Sequence, residues 1–275
     1  MKDVMKDRFV EQRLLGPEPR LPFSFVCDGR ILAGPPGEWP RQVRHEPCGA
    51  GRVRHTLRWT DPRTALEVSC VVVDDADWPA VEWTVCLTNR GQEPTPLLEQ
   101  IQGLDTLVEV GAADDVVLHG IKGDFCAAAS FAPYRLPLAP AAVARFSPPA
   151  GSGKSTDGPD GWPYHNLQFA GGGLILAVGW PGQWESCFAR DPAGIVRLRA
   201  GQQLTRLRLM PGETVRTPLI ALVFWQGDDP IDAQNLWRRW YVARNMPRVD
   251  GRTQPAVAQI QVGGSEADIA YVQSF

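Results

Sequence analysis

Basic surplus, long apolar runs, paired cysteines and clustered histidines are all scarce in this chain, and each scarcity removes a class of function. Lys and Arg number 28 against 31 Asp and Glu, leaving a net charge of −3. A nucleic-acid binder would carry a basic excess, and a peripheral membrane protein a polybasic patch, so neither partner is expected. No stretch approaches the roughly 18 consecutive apolar residues of a membrane span. The charged segment Met1 to Leu15 has no apolar core of a secretory leader. The six cysteines, Cys27, Cys48, Cys70, Cys86, Cys126 and Cys187, form no C-x-x-C pair, which excludes zinc-ribbon and thioredoxin-type sites. Cys70 falls inside the apolar alternation Leu66-Val68-Cys70-Val72, where a thiol behaves as a small hydrophobe. Free thiols and a cytoplasmic location are therefore expected. The four histidines, His45, His55, His119 and His165, show no H-x-x-x-H or carboxylate spacing, so the sequence predicts no metal site and no cofactor.

Gly151-Ser-Gly-Lys-Ser-Thr156 invites a phosphate-loop reading, but the first glycine of that motif would fall on Pro148. The following Asp157-Gly-Pro-Asp-Gly-Trp-Pro163 cannot open the helix such a loop requires. The acidic groups Asp74-Asp75-Asp77 and Asp114-Asp115 read as solvated turns.

What is present is β-structure. Prolines (25) and glycines (27) are spread along the chain and punctuate short runs of period-two alternation. Leu66 to Val72 is apolar at even positions and Val81 to Thr88 at odd ones, so each presents one face to a core. Further strands are predicted near 23–27, 53–60, 97–109, 115–119, 166–170, 174–180, 184–189, 195–199, 204–209 and 217–225. With no helical pattern between them, the fold class is all-β: a large two-sheet antiparallel sandwich. One helix is clear at 229–246. Asp229 is its N-cap, Pro230 its first residue, and Leu236, Trp240 and Ala243 its apolar stripe, with Asn245 and Pro247 closing it. The predicted organisation is a tail at 1–14, a sandwich over 15–228, the helix, a linker at 247–254, and a further strand with a helix start at 255–275.

Ten tryptophans stand out. Trp59, Trp83 and Trp225 fall on strand faces and read as core. Trp162, Trp180 and Trp184 flank Gly-Pro-rich turns. There a flat indole could stack on a sugar ring or simply pack.

Three stretches together resemble α-galactosidase-like proteins of glycoside hydrolase family 36. The first comprises Trp59-Thr-Asp-Pro62, Leu66-Glu-Val68, Trp78-Pro-Ala-Val-Glu-Trp83, Asn89 and Pro96-Leu-Leu-Glu-Gln-Ile-Gln102. The second comprises Gly153-Lys-Ser-Thr156, Tyr164-His-Asn-Leu-Gln168 and Gly172 through Trp184. The third comprises Pro211-Gly-Glu213, Arg216-Thr-Pro218, Phe224-Trp-Gln-Gly227 and Asn235-Leu-Trp-Arg-Arg-Trp240. The resemblance spans about residues 20 to 250. It implies a galactose-mutarotase-like supersandwich at the N-terminal side of a (β/α)8 barrel that carries two catalytic Asp residues. On that reading residues 255–275 begin the barrel, and no catalytic residue lies in this chain. The implied partners are the barrel, a carbohydrate such as an α-galactoside, and a second copy in a homo-oligomer. The candidate sugar-contacting residues are Lys154, Ser155, Trp162, Tyr164, His165, Asn166, Trp180 and Trp184. To these are added Lys122 and Asp124 from Gly120-Ile-Lys-Gly-Asp-Phe-Cys126, a segment that departs from the family by continuing into Ala127-Ala-Ala-Ser130 rather than acidic residues. Two other functions remain open at this stage. One is a free-standing carbohydrate-binding module. The other is a mutarotase-like enzyme, which would need a His and a Glu meeting in one concave site.

Overall fold

A computed structural model describes residues 4–254. The residues from 255 onward, including the predicted strand and helix start, lie outside the described residues. The chain divides into two compact units, Met1–Trp237 and Arg238–Phe275.

In the first unit the strands are β1 (Ser24–Cys27), β2 (Arg30–Leu32), β3 (Arg41–Pro47), β4 (Arg52–Thr60), β5 (Leu66–Asp75), β6 (Ala80–Asn89), β7 (Leu98–Glu109) and β8 (Val117–Ile121). They continue as β9 (Pro133–Pro137), β10 (Val143–Phe146), β11 (Tyr164–Phe169), β12 (Gly172–Gly179), β13 (Trp184–Arg190), β14 (Ile195–Gln202), β15 (Arg206–Leu207), β16 (Thr214–Arg216) and β17 (Leu219–Gln226). Seven form one sheet in the order β10-β13-β14-β7-β1-β2, with β15 also on β7. Ten form the other in the order β3-β4-β5-β6-β17-β12-β11-β8-β9, with β16 also on β6. The expected all-β sandwich is what is found. The predicted strands are present, and β2, β3, β9, β10 and β16 are additional. β3 and β9 lie at sheet edges with mostly exposed residues, so they lack the apolar alternation that marks half-buried strands.

Alternation decides which face meets the core. In β5, Leu66, Val68, Cys70 and Val72 are fully buried while Glu67, Ser69 and Val71 between them are not. Cys70 fills a hydrophobic position, and burial pushes its thiol far above the usual range. All six cysteines are unpaired. Trp83 is fully buried and its Nε1 donates to the Gly103 carbonyl of the opposite sheet at 2.8 Å, so its one polar atom is satisfied inside the core. Trp225 behaves differently. It pairs across strands with Gly173, and its Nε1 donates to Asn166 Oδ1 at 2.9 Å. Its neighbour Phe224 takes the inner face, so Trp225 lies on the outer face of the ten-stranded sheet.

The segment read as a tail is folded. Val4–Val10 forms helix α1, which widens into a π-type turn at Glu11–Leu15. Val10 and Leu14 enter the core, and Phe9 stacks on Trp83 (6.0 Å between centroids) and meets Phe224 (5.5 Å). Lys6 Nζ bonds Asp74 Oδ1 at 2.8 Å and the Asp75 carbonyl at 3.1 Å, fixing the helix to the end of β5. The segment is rich in charge, which hid the spaced Phe9, Val10 and Leu14 from a composition reading.

The second helix, α2, runs from Pro230 to Arg244. Asp229 caps it as expected, its Oδ1 accepting from Ile231 N at 2.8 Å. The predicted linker contains a small hairpin of β18 (Arg248–Val249) and β19 (Arg252–Thr253). Among the described residues no helix is long and apolar enough to cross a membrane.

Candidate functional site

Three connections meet at one end of the sandwich. The first, residues 122–132, joins β8 to β9. The second, 147–163, joins β10 to β11. The third, 180–183, joins β12 to β13. Register brings them together. Gly120 faces His165 and Tyr164 faces Ala177 in one sheet, while Phe146 faces Ser186 in the other.

Backbone bonds lock the first loop to the second. Asp124 N donates to the Thr156 carbonyl at 2.7 Å, and Gly158 N donates to the Asp124 carbonyl at 2.8 Å. The approach is so close at Gly123 that a Cβ there would sit 2.4 Å from the Thr156 carbonyl oxygen and 2.5 Å from that of Gly158. Only glycine fits. The third connection is tied to the second by side chains. Gln183 Oε1 accepts from Gly151 N at 2.8 Å, its Nε2 donates to the Pro149 carbonyl at 2.9 Å, and Trp184 Nε1 donates to the Ser155 carbonyl at 2.7 Å. Gln183 and Ser130 were not among the predicted residues. Ser130 Oγ accepts from Phe125 N at 3.1 Å and Ala127 N at 3.2 Å, closing the first loop on itself. Short polar residues that bond backbone in loops leave no periodic signal, so this role was not legible.

The predicted residues divide into two groups. Lys122, Asp124, Lys154, Ser155 and Trp162 lie on these loops, Lys154 exposed and the others half-buried. The Asp124 carboxylate is held below the usual range, first by the bond from Cys126 N and then by Ser130, with Lys154 adding favourable charge. It remains ionised. Trp162 meets Phe131 edge to face at 5.8 Å and is not part of the core. Trp180 is also half-buried, but Arg216 lies 4.9 Å over its ring and covers that face.

Tyr164, His165, Asn166 and Trp184 are elsewhere, each under a tenth exposed. β11 begins at Tyr164, ahead of the strand start expected near 166, and alternation then sorts its residues. His165 faces inward, bonded to Ser186 Oγ at 3.0 Å and Tyr134 OH at 3.2 Å within the rings of Phe146, Trp184 and Phe188. Burial lowers its pKa to about 3, so it is a neutral core residue. Asn166 lies on the outer face under Trp225, and the Tyr164 ring meets Trp237 of α2 at 5.3 Å. Trp184 is fully buried in the core. These four side chains are buried.

The remaining histidines are also placed. His119 bonds Gln168 at 2.8 Å, and His45 bonds His55. Among the described residues none of the four has a Glu as its hydrogen-bond partner, which a mutarotase-like site would require.

No family model matches the sequence, and no curated protein matches it. Solved structures do. An α-galactosidase from Lactobacillus brevis superposes on 84% of this chain and 32% of its own, with a TM-score of 0.58 at 15% identity. The GH36 α-galactosidase AgaA of Geobacillus stearothermophilus, in a structure with raffinose, covers 76% of this chain and 30% of its own, with a TM-score of 0.54 at 16% identity. The galactosidase domain of the α-galactosidase-sucrose kinase AgaSK gives 74%, 30%, 0.55 and 16%. At this identity the likeness establishes the fold, and the chain spans about a third of the length of these enzymes.

Proposed function

We propose that this chain is a non-catalytic β-sandwich domain of a glycoside hydrolase of α-galactosidase type, and that its three-loop end borders the sugar-binding mouth of a catalytic barrel. The observation that carries the reading is the likeness of most of this chain to about a third of several α-galactosidases. The locked loops support it, because a rim contact must be held in place to contribute to binding. Within that end Lys122, Lys154 and Ser155 supply donors, Asp124 an acceptor and Trp162 a flat apolar face, the mixture that sugar recognition uses.

The test has two arms. The chain alone, incubated with aryl α-galactosides, should show no turnover, because retaining hydrolysis needs a pair of converging carboxylates on the barrel. In a polypeptide that includes the barrel, Trp162→Ala should lower kcat/KM by about 1–3 kcal/mol of transition-state stabilisation, roughly 5- to 150-fold, mostly through KM. Turnover by the chain alone would refute the non-catalytic assignment. An unchanged kcat/KM in the variant would refute the rim assignment.

A further inference from the structure

The β3–β4 hairpin brings two histidines of ordinary appearance into a chemical relationship. His45 and His55 are ten residues apart, a spacing that matches no known ligand motif. Antiparallel register makes them direct Cα partners, bracketed by Arg44↔Thr56 and Glu46↔Arg54. Partners in register project to the same face of the sheet. Their rings stand nearly perpendicular with centroids 4.8 Å apart, and the two Nδ1 atoms point at each other at 2.5 Å.

In the neutral pair one Nδ1 carries its ring proton and donates to the other, the direction being set by the tautomers. A shift of that proton to Nε2 of its own ring leaves two converging Nδ1 lone pairs, which a metal ion can take up. Burial, and then the neighbouring His45, hold the pKa of His55 below its ordinary value, opposed by Asp74. A neutral imidazole is the form that binds metals. Asp74 is itself engaged by Lys6 at 2.8 Å. Glu46 is bridged by Arg44 and Arg54 at 3.1 and 3.2 Å, so the neighbouring carboxylates are committed to cations of the protein.

We propose that His45 and His55 form a two-nitrogen site for a divalent transition-metal ion on the exposed β3–β4 hairpin, with water completing the coordination. Among the described residues no group of three or more His, Cys, Asp and Glu is placed to hold a metal, so the pair acts alone. Metal–nitrogen bonds of about 2.0–2.1 Å put two adjacent ligand nitrogens roughly 3.0–3.3 Å apart. From 2.5 Å the nitrogens must part by roughly 0.5–0.8 Å to admit the ion. His45 is exposed and His55 only half-buried, so a small side-chain rotation supplies that space. Imidazole donors favour Ni²⁺, Cu²⁺ and Zn²⁺ over Mg²⁺ and Ca²⁺, which select oxygen.

The proposal is independent of the glycoside-hydrolase reading and is tested on the full chain without any affinity tag. Calorimetry with NiCl2 near pH 7.5, in a buffer that does not coordinate metals, should show one site per chain. His45→Gln and His55→Gln should each weaken it by more than about tenfold, the loss that even an outer-shell partner causes when removed. His119→Gln should leave it unchanged. In the unsubstituted chain, substoichiometric Ni²⁺ should selectively broaden the imidazole proton resonances of His45 and His55, a readout that no variant's folding affects. Absence of binding heat up to millimolar Ni²⁺ would overturn the proposal. So would binding that survives in the His45→Gln/His55→Gln double variant, or broadening at other histidines alone.

Discussion

His165 makes the stability of this fold acid-sensitive in a way that one substitution can isolate. Its imidazole is fully enclosed, bonded to Ser186 and Tyr134, and burial lowers its pKa from the ordinary value of about 6.5 to about 3. The unfolded chain takes up a proton at this position as pH falls through about 6.5, whereas the folded chain does not until about pH 3. Between those values the unfolded state binds more protons, so stability rises with pH and is lost on acidification. At pH 7 the difference is only about 0.2 kcal/mol. At pH 5 it reaches about 2 kcal/mol, from roughly 1.4 kcal/mol for each pH unit below the unfolded pKa. A His165→Gln variant removes the titration while leaving an amide that can bond Ser186 or Tyr134. Urea unfolding followed by tryptophan fluorescence at pH 7, 6 and 5 reads the effect directly, because Trp184 packs beside this ring. The unsubstituted chain should lose about 2 kcal/mol more than the variant between pH 7 and pH 5, whatever their absolute stabilities. His55 and the carboxylates titrate in both proteins and cancel in that difference. Parallel pH profiles for the two would refute the assignment of His165 as a buried neutral group.

The two tryptophans flanking the loop cluster should respond oppositely to truncation. Trp184→Ala empties a fully buried site and removes the donor to Ser155, so it should cost about 3–5 kcal/mol and lower Tm markedly. Trp162→Ala loses an edge contact with Phe131 worth about 0.5–1.5 kcal/mol and should lower the chain's Tm by only a few degrees. Equal losses would mean that Trp162 is a core residue. Gly123→Ala should force the first loop off the second, at a cost of about 1–3 kcal/mol, and should expose 124–131 and 150–160 to limited proteolysis. Unchanged protease resistance would show that the loops do not depend on their mutual bonds.

Sequence alone determined the class of this fold. Period-two alternation in segments such as Leu66–Val72 and Val81–Leu87 is imposed by the pleat, and one buried face per strand leaves a signature that needs no partner to be read. Capping of α2 by Asp229 was equally local, since a carboxylate bonds the helix it precedes. The colinear motifs pointed to the α-galactosidase-like sandwich that the structure displays. Edge strands escaped because exposed residues carry no such signature, and the helix at Val4–Val10 escaped because its few apolar residues matter only once Trp83 and Phe224 are beside them.

Tertiary structure decided which candidate residues are buried and which are not. Tyr164, His165 and Asn166 stand next to Trp162 in sequence, yet one begins a strand and the next points into the core. A single-residue step in a pleated strand reverses the direction of a side chain. Which face of β11 meets the second sheet is fixed by pairing with β8 and β12, strands tens of residues apart in the case of β8. The same physics joined His45 to His55, for a hairpin's register sets cross-strand neighbours irrespective of sequence spacing.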